Sequence, residues 1–169
     1  MDTESPLTVV RPGEGERTGP PAFAVAFKLG SDDTGGAFAV VEHPFAPGAI
    51  APPHRHRSED EYSIVVEGEM GFRSGDHEVV LGPGGYVSKP RGQLHTMWNA
   101  GRSPARIIEL ISPGGFERYF RELADLVTDG SLPPGAAAGL AAKYCGAFDR
   151  PDWLDDVVRR YALTPPPAR

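Results

Sequence analysis

Two histidines stand two residues apart in the stretch Gly48 to Gly68, GAIAPPHRHRSEDEYSIVVEG, and a carboxylate follows five residues later: His54, His56 and Glu61. On a β-strand, side chains at i and i+2 share a face, so a His-x-His pair aims two imidazoles at one point. Neutral imidazole and carboxylate are ordinary ligands of divalent first-row metals, so the trio reads as part of a metal site. Five residues is an odd step that would put Glu61 on the wrong face of an unbroken strand. Arg57, Ser58, Glu59 and Asp60 must therefore form a turn or bulge that returns Glu61 to the site on the next strand. Glu59 and Asp60 read as solvated turn residues.

A second stretch, Gly84 to Asn99 (GGYVSKPRGQLHTMWN), contributes His95. Pro90 and Gly92 predict a tight turn just before it. Met97 and Asn99 share the face of His95 by period two, which makes Met97 a pocket-wall residue or a core methionine. Trp98 alternates away and reads as packing. Tyr62, Phe72 and Tyr86 line a pocket or fill the core. His43, at a strand end, and His77, at a hairpin turn, read as surface residues.

Positioning these side chains requires short, well-registered strands, and the chain is rich in them. Phe23–Leu29, Ala37–Glu42, Tyr62–Val66, Tyr86–Ser88, Leu94–Asn99 and Ala105–Ile111 are apolar or β-branched runs bounded by Gly and Pro. Pro44, Pro47 and Gly48 are predicted to break the chain before the His pair. Glu69–Arg73 and His77–Leu81 flank Ser74-Gly75-Asp76, a hairpin signal. Leu7–Val10 offers one edge strand in an otherwise loose lead-in. Many short strands with Gly/Pro turns predict an all-β sandwich or barrel. After Ser112 the period changes. Phe116, Tyr119, Phe120, Leu123, Leu126 and Val127 predict an amphipathic helix over 115–128, followed by helices over Ala136–Cys145 and Pro151–Tyr161. Such helices must pack their apolar faces on the barrel or a partner subunit, Phe116 and Phe120 docking the first helix or lidding the barrel. The predicted division is an N-terminal extension over 1–21, a barrel over 22–112 and a C-terminal helical extension with a tail over 113–169.

With 169 residues the chain suits one domain. Its net charge of −6 argues against a nucleic-acid partner. The single Cys145, in an apolar helical stretch, excludes an internal disulfide and reads as a structural thiol. No apolar run approaches the length of a membrane span and the N-terminus has no signal pattern, so a cytoplasmic protein without a membrane partner is expected.

The two stretches together carry a resemblance. Gly48, five residues, His54-x-His56, four residues, Glu61, six residues, Gly68 resembles the first cupin motif. Gly84, five residues, Pro90-x-Gly92, two residues, His95, three residues, Asn99 resembles the second. All ten positions match in order. The resemblance implies a double-stranded β-helix (jelly-roll) barrel with α-helices packed on it. It also implies one metal held by His54, His56, Glu61 and His95. TGGAFAVVEH, EDEY and SPGGFERYFRELADL are further similar to bacterial quercetin dioxygenase-like single-domain cupins.

Four protein ligands on an octahedral ion leave two positions for water, a small-molecule substrate or dioxygen. The mixed N/O set suits Fe, Ni, Mn, Zn or Cu. Glu61 acts as a ligand or as the general base. The resemblance implies a dioxygenase-type oxidoreductase acting on a phenolic, enolic or polyketide-like compound. A non-redox isomerase, cyclase or dehydratase uses the same residues, and a non-catalytic metal- or ligand-binding module fits them too. A homodimer formed through sheet edges is expected.

Overall fold

Alternation of inward and outward side chains organises the chain into strands wherever the sequence is β-branched and Gly/Pro-bounded. The computed structural model describes residues 7–19, 24–126, 133, 135–144 and 146–166. From Arg17 come β1 (Arg17–Thr18), β2 (Val25–Leu29), a 3-10 turn at Ser31–Thr34, β3 (Ala39–Phe45), β4 (His54–Arg55), β5 (Asp60–Glu67) and β6 (Met70–Ser74). Then follow β7 (His77–Leu81), β8 (Tyr86–Lys89), β9 (Thr96–Asn99), β10 (Ala105–Ser112), α1 (Glu117–Leu126), α2 (Ala136–Tyr144), β11 (Ala147–Phe148) and α3 (Leu154–Arg160).

One sheet runs β1-β2-β3-β10-β5-β8 and a second runs β7-β6-β9. The segment through β4 extends the second sheet. Ile50 bridges Trp98, His54 bridges His95, and β11 pairs with β4 on the other side. The two sheets face each other as a jelly-roll β-barrel, as the sequence predicts. Its interior holds Phe45, Val65, Met70, Phe72, Met97 and Ile107. Burying one such side chain fully contributes about 1.5–3 kcal/mol.

The helices pack on this barrel. Phe116 and Tyr119, with Phe120 and Leu123 beside them, join Val25, Phe27, Val41 and Ile111 in a second apolar cluster. That face follows the helical spacing read from the sequence. Trp98, facing away from the barrel interior, packs with Val157 and Leu163 beneath α3, which is the packing role predicted for it.

Two expectations are corrected. Leu7–Val10 forms no strand, and Leu7 is exposed; the edge strand is β1, paired with β2. Pro44 does not break β3, which runs on to Phe45. Pairing of β3 with β2 ends at Glu42, so the N–H that Pro44 lacks is not needed on that side. Phe23, Val127 and Cys145 lie outside the described residues.

Candidate metal centre

The site is assembled by backbone pairing between distant segments. His54 and His95 exchange two main-chain hydrogen bonds, each of 2.9 Å, which brings the first histidine of one stretch against the histidine of the other. His56 follows Arg55, and its carbonyl accepts from Gly92 N–H at 2.8 Å. Gly92 has φ +77°, a left-handed conformation that few side chains tolerate, so the turn before His95 needs glycine there. A bend at Arg57 and Ser58 then leads into β5. Asp60 opens that strand and takes a forked ion pair from Arg91, at 3.1 and 2.7 Å, which fastens β5 to the same turn. Glu61 consequently points inward. The bend resolves the odd spacing.

Ligand atoms of His54, His56, Glu61 and His95 lie within 4.8 Å of one another, and all four residues are buried. His54 Nδ1 stands 2.7 Å from the Pro52 carbonyl and His95 Nδ1 stands 3.0 Å from that of Gln93. A carbonyl only accepts, so both Nδ1 atoms donate and both Nε2 lone pairs face the cluster. Glu61 Oε1 is 3.2 Å from His56 Nε2, and Oε2 is 3.4 Å from His95 Nε2.

Electrostatics keep His54, His95 and Glu61 in their metal-binding forms. Burial, then His95 and His56, holds the His54 imidazole well below its ordinary range, and burial lowers His95 as well. Both are neutral near pH 7. Burial pushes the Glu61 carboxyl up, but attraction to His56 and Lys89 outweighs it and holds the group well below its usual range. His56 Nδ1 and Nε2 and His95 Nε2 are buried without a directed hydrogen bond. Buried polar atoms are normally partnered. Three imidazoles and one carboxylate that converge in a buried cluster, with polar atoms left over, fit a divalent transition metal.

An aromatic cap covers the cluster. The Phe116 ring meets that of His56 edge-on at 4.3 Å, and Phe148 lies 6.0 Å from His54. Tyr119 stacks on Phe116, and Phe120 packs against both. Phe116 thus docks its helix and closes the site at once.

The remaining sequence-selected residues divide. Phe72 and Met97 are paired across β6 and β9 and face the barrel interior. Tyr62 and Tyr86 do not fill the core, being 41% and 73% exposed. Their parity is the reason, since Glu61 points inward and its neighbour Tyr62 must point out. His77 is exposed, as expected. His43 is not a surface residue. It is 2% exposed, its Nδ1 donates to the Ala24 carbonyl at 3.1 Å, and burial lowers its imidazole to about 4. Sequence reasoning also missed Lys89 and Glu109, both buried beside Glu61. A signal for Glu109 existed, a lone charge at an inward position in the run IIELI.

Residues 42–111 match the cupin domain family. Germin-like protein subfamily T member 2 of Arabidopsis thaliana is 39% identical over 69 residues, covering 38% of this chain and 31% of that one. Tetracenomycin polyketide synthase protein TcmJ of Streptomyces glaucescens is 37% identical over 68 residues, covering 40% of this chain and 46% of that one. The chain therefore spans a third to a half of the length of these curated relatives. Among solved structures, a predicted oxalate decarboxylase from Thermotoga maritima superposes with a TM-score of 0.56 at 22% identity, covering 62% of this chain and 98% of that one. KdgF from Halomonas sp. superposes with a TM-score of 0.55 at 20% identity, covering 61% and 92%. Those two likenesses concern the fold alone. The barrel, the three-histidine, one-glutamate cluster and the matched segment support placing the chain in the cupin superfamily.

Proposed function

We propose that the chain is a metal-dependent oxygenase acting on a phenolic, enolic or polyketide-like small molecule. The observation that carries this reading is the convergence of His54, His56, Glu61 and His95 under an aromatic cap. A divalent transition metal held by these four residues would supply Lewis acidity and, for a redox-active ion, dioxygen chemistry. The chain's own groups prepare the site. Pro52 and Gln93 carbonyls fix the imidazole orientations of His54 and His95. Glu61, kept charged, would be the one carboxylate among the donors to that metal. Phe116 and Phe148 exclude water and offer ring surface to a flat, unsaturated substrate. Likeness to a polyketide synthase protein over part of its length supports the same substrate class.

The test is an oxygen-electrode screen of phenolic and enolic compounds with the protein carrying its own metal. Dioxygen consumption that is lost in Glu61→Gln is the expected result. Turnover that proceeds equally well without dioxygen, in protein holding only zinc, would replace this reading with a non-redox isomerase, cyclase or dehydratase. We also propose a homodimer, because β7 and β8 each end a sheet with an unpaired edge among the described residues. Light scattering should return twice the chain mass, and a clean monomer contradicts it.

A further inference from the structure

A second charged group lies in the barrel beside the histidines. Glu61 and Ser63 on β5, Lys89 on β8 and Glu109 on β10 all point inward. Glu61 stands opposite Lys89, and Ser63 stands opposite Glu109. None of the four is more than 4% exposed. Lys89 Nζ donates to Glu109 Oε1 at 3.0 Å and Oε2 at 2.9 Å, and lies 3.6 Å from Met97 Sδ. Ser63 Oγ donates to Glu109 Oε1 at 2.8 Å. The same ammonium reaches Glu61 Oε2 at 2.8 Å.

Stability is a poor reason for this arrangement. Burying an ion pair carries a desolvation cost, and apolar residues of equal volume often serve stability as well or better. Orientation is the better reason. Ser63 and Lys89 fix Glu109, and Glu109 in turn fixes the ammonium from both of its oxygens. The ammonium then engages one oxygen of Glu61, Oε2. Oε1 faces His56 Nε2 at 3.2 Å, whereas Oε2 lies between the ammonium and His95 Nε2, which is 3.4 Å away.

We propose that Lys89, held by Glu109 and Ser63, is a positioning residue that makes Glu61 present one oxygen, rather than two, to a bound metal. This rests on reading the four-residue cluster as a metal centre. Lys89 and Glu109 pair with each other, so replacing both removes the support for Glu61 without leaving either one buried alone. Removing Lys89 alone would strand Glu109 as a buried, unpaired anion.

The experiment is Co(II) binding to the whole chain and to the Lys89→Met/Glu109→Gln double variant. Affinity, the visible spectrum of bound cobalt and thermal unfolding of the metal-free protein are all recorded. In the double variant, affinity should fall by about 10- to 100-fold, the usual consequence of losing a group that orients a ligand. The cobalt spectrum should also shift as Glu61 binds through both oxygens. In a Glu61→Gln background the same double substitution should leave the spectrum unchanged. Unchanged affinity and spectrum in a folded double variant overturn the proposal alone. Wild-type protein that takes up no Co(II) overturns the metal-centre reading, and this inference with it. Should the double variant fail to fold, Ser63→Ala frees Glu109 without removing a charge. It should shift the cobalt spectrum in the same direction, and a spectrum identical to wild type overturns the proposal.

Discussion

Phe148 stands directly opposite His54 in the β11–β4 pair. Their rings lie 6.0 Å apart, Asp149 N–H donates to the Pro53 carbonyl at 3.0 Å, and Arg55 pairs with the Asp149 carboxylate. The first histidine of the cluster is thus held by His95 on one side and by a segment far along the chain on the other. Phe148→Ala removes a half-buried ring from that clamp. It should lower stability by about 1–3 kcal/mol, less than a fully buried phenylalanine costs. It should also weaken metal binding by about tenfold. Calorimetric titration measures the second effect, and intact affinity in a destabilised variant would separate β11 from the site.

The Phe116 ring covers His56. Phe116→Ala should cost about 3–5 kcal/mol, as for other buried phenylalanines, and should open a path to solvent. Metal should then leave to a chelator faster than from the wild-type protein. An unchanged release rate in a folded variant would remove the cap from the account.

Metal-free protein should lose stability as pH falls from neutrality. Burial, against weaker help from Glu61 and the Ala24 carbonyl, lowers the His43 imidazole from 6.5 to about 4. An unfolded chain takes up that proton near 6.5 and the folded chain only near 4. Between these values the unfolded state binds more protons, so stability declines with falling pH, and above 6.5 the effect vanishes. At about pH 5, His43 alone should cost about 2 kcal/mol. His54 and His95, also lowered by burial, act in the same direction. Urea midpoints between about pH 7.5 and pH 5 measure the slope. His43→Leu should make it shallower, and a flat profile in wild-type protein would contradict the burial of these imidazoles.

Much of this site was legible because its spacing is local. The step from His54 to His56 and the odd step to Glu61 demanded a strand, a bend and a second strand; the bend and second strand are present, and the first strand ends at Arg55, one residue before His56. Other features depended on which strands adjoin. His43 was misread because Pro44 looked like a stop, yet β3 has no β2 partner beyond Glu42 and continues. Lys89 and Glu109 meet only because β8 and β10 both flank β5. Phe148 reaches His54 across more than half the chain, and no local pattern announces that contact. The outward position of Tyr62 was available from the start, since it follows from the inward position of Glu61.

The central claim is that His54, His56, Glu61 and His95 form a metal centre. Elemental analysis of protein purified without added metal tests it most directly, run beside the His95→Ala variant. One transition-metal ion per chain is predicted for the wild type. A sharp loss is predicted for His95→Ala in a barrel that remains folded, because only one of four converging donors is gone. Full occupancy in the variant, or a wild-type chain that holds no metal even when supplied with it, would contradict the account.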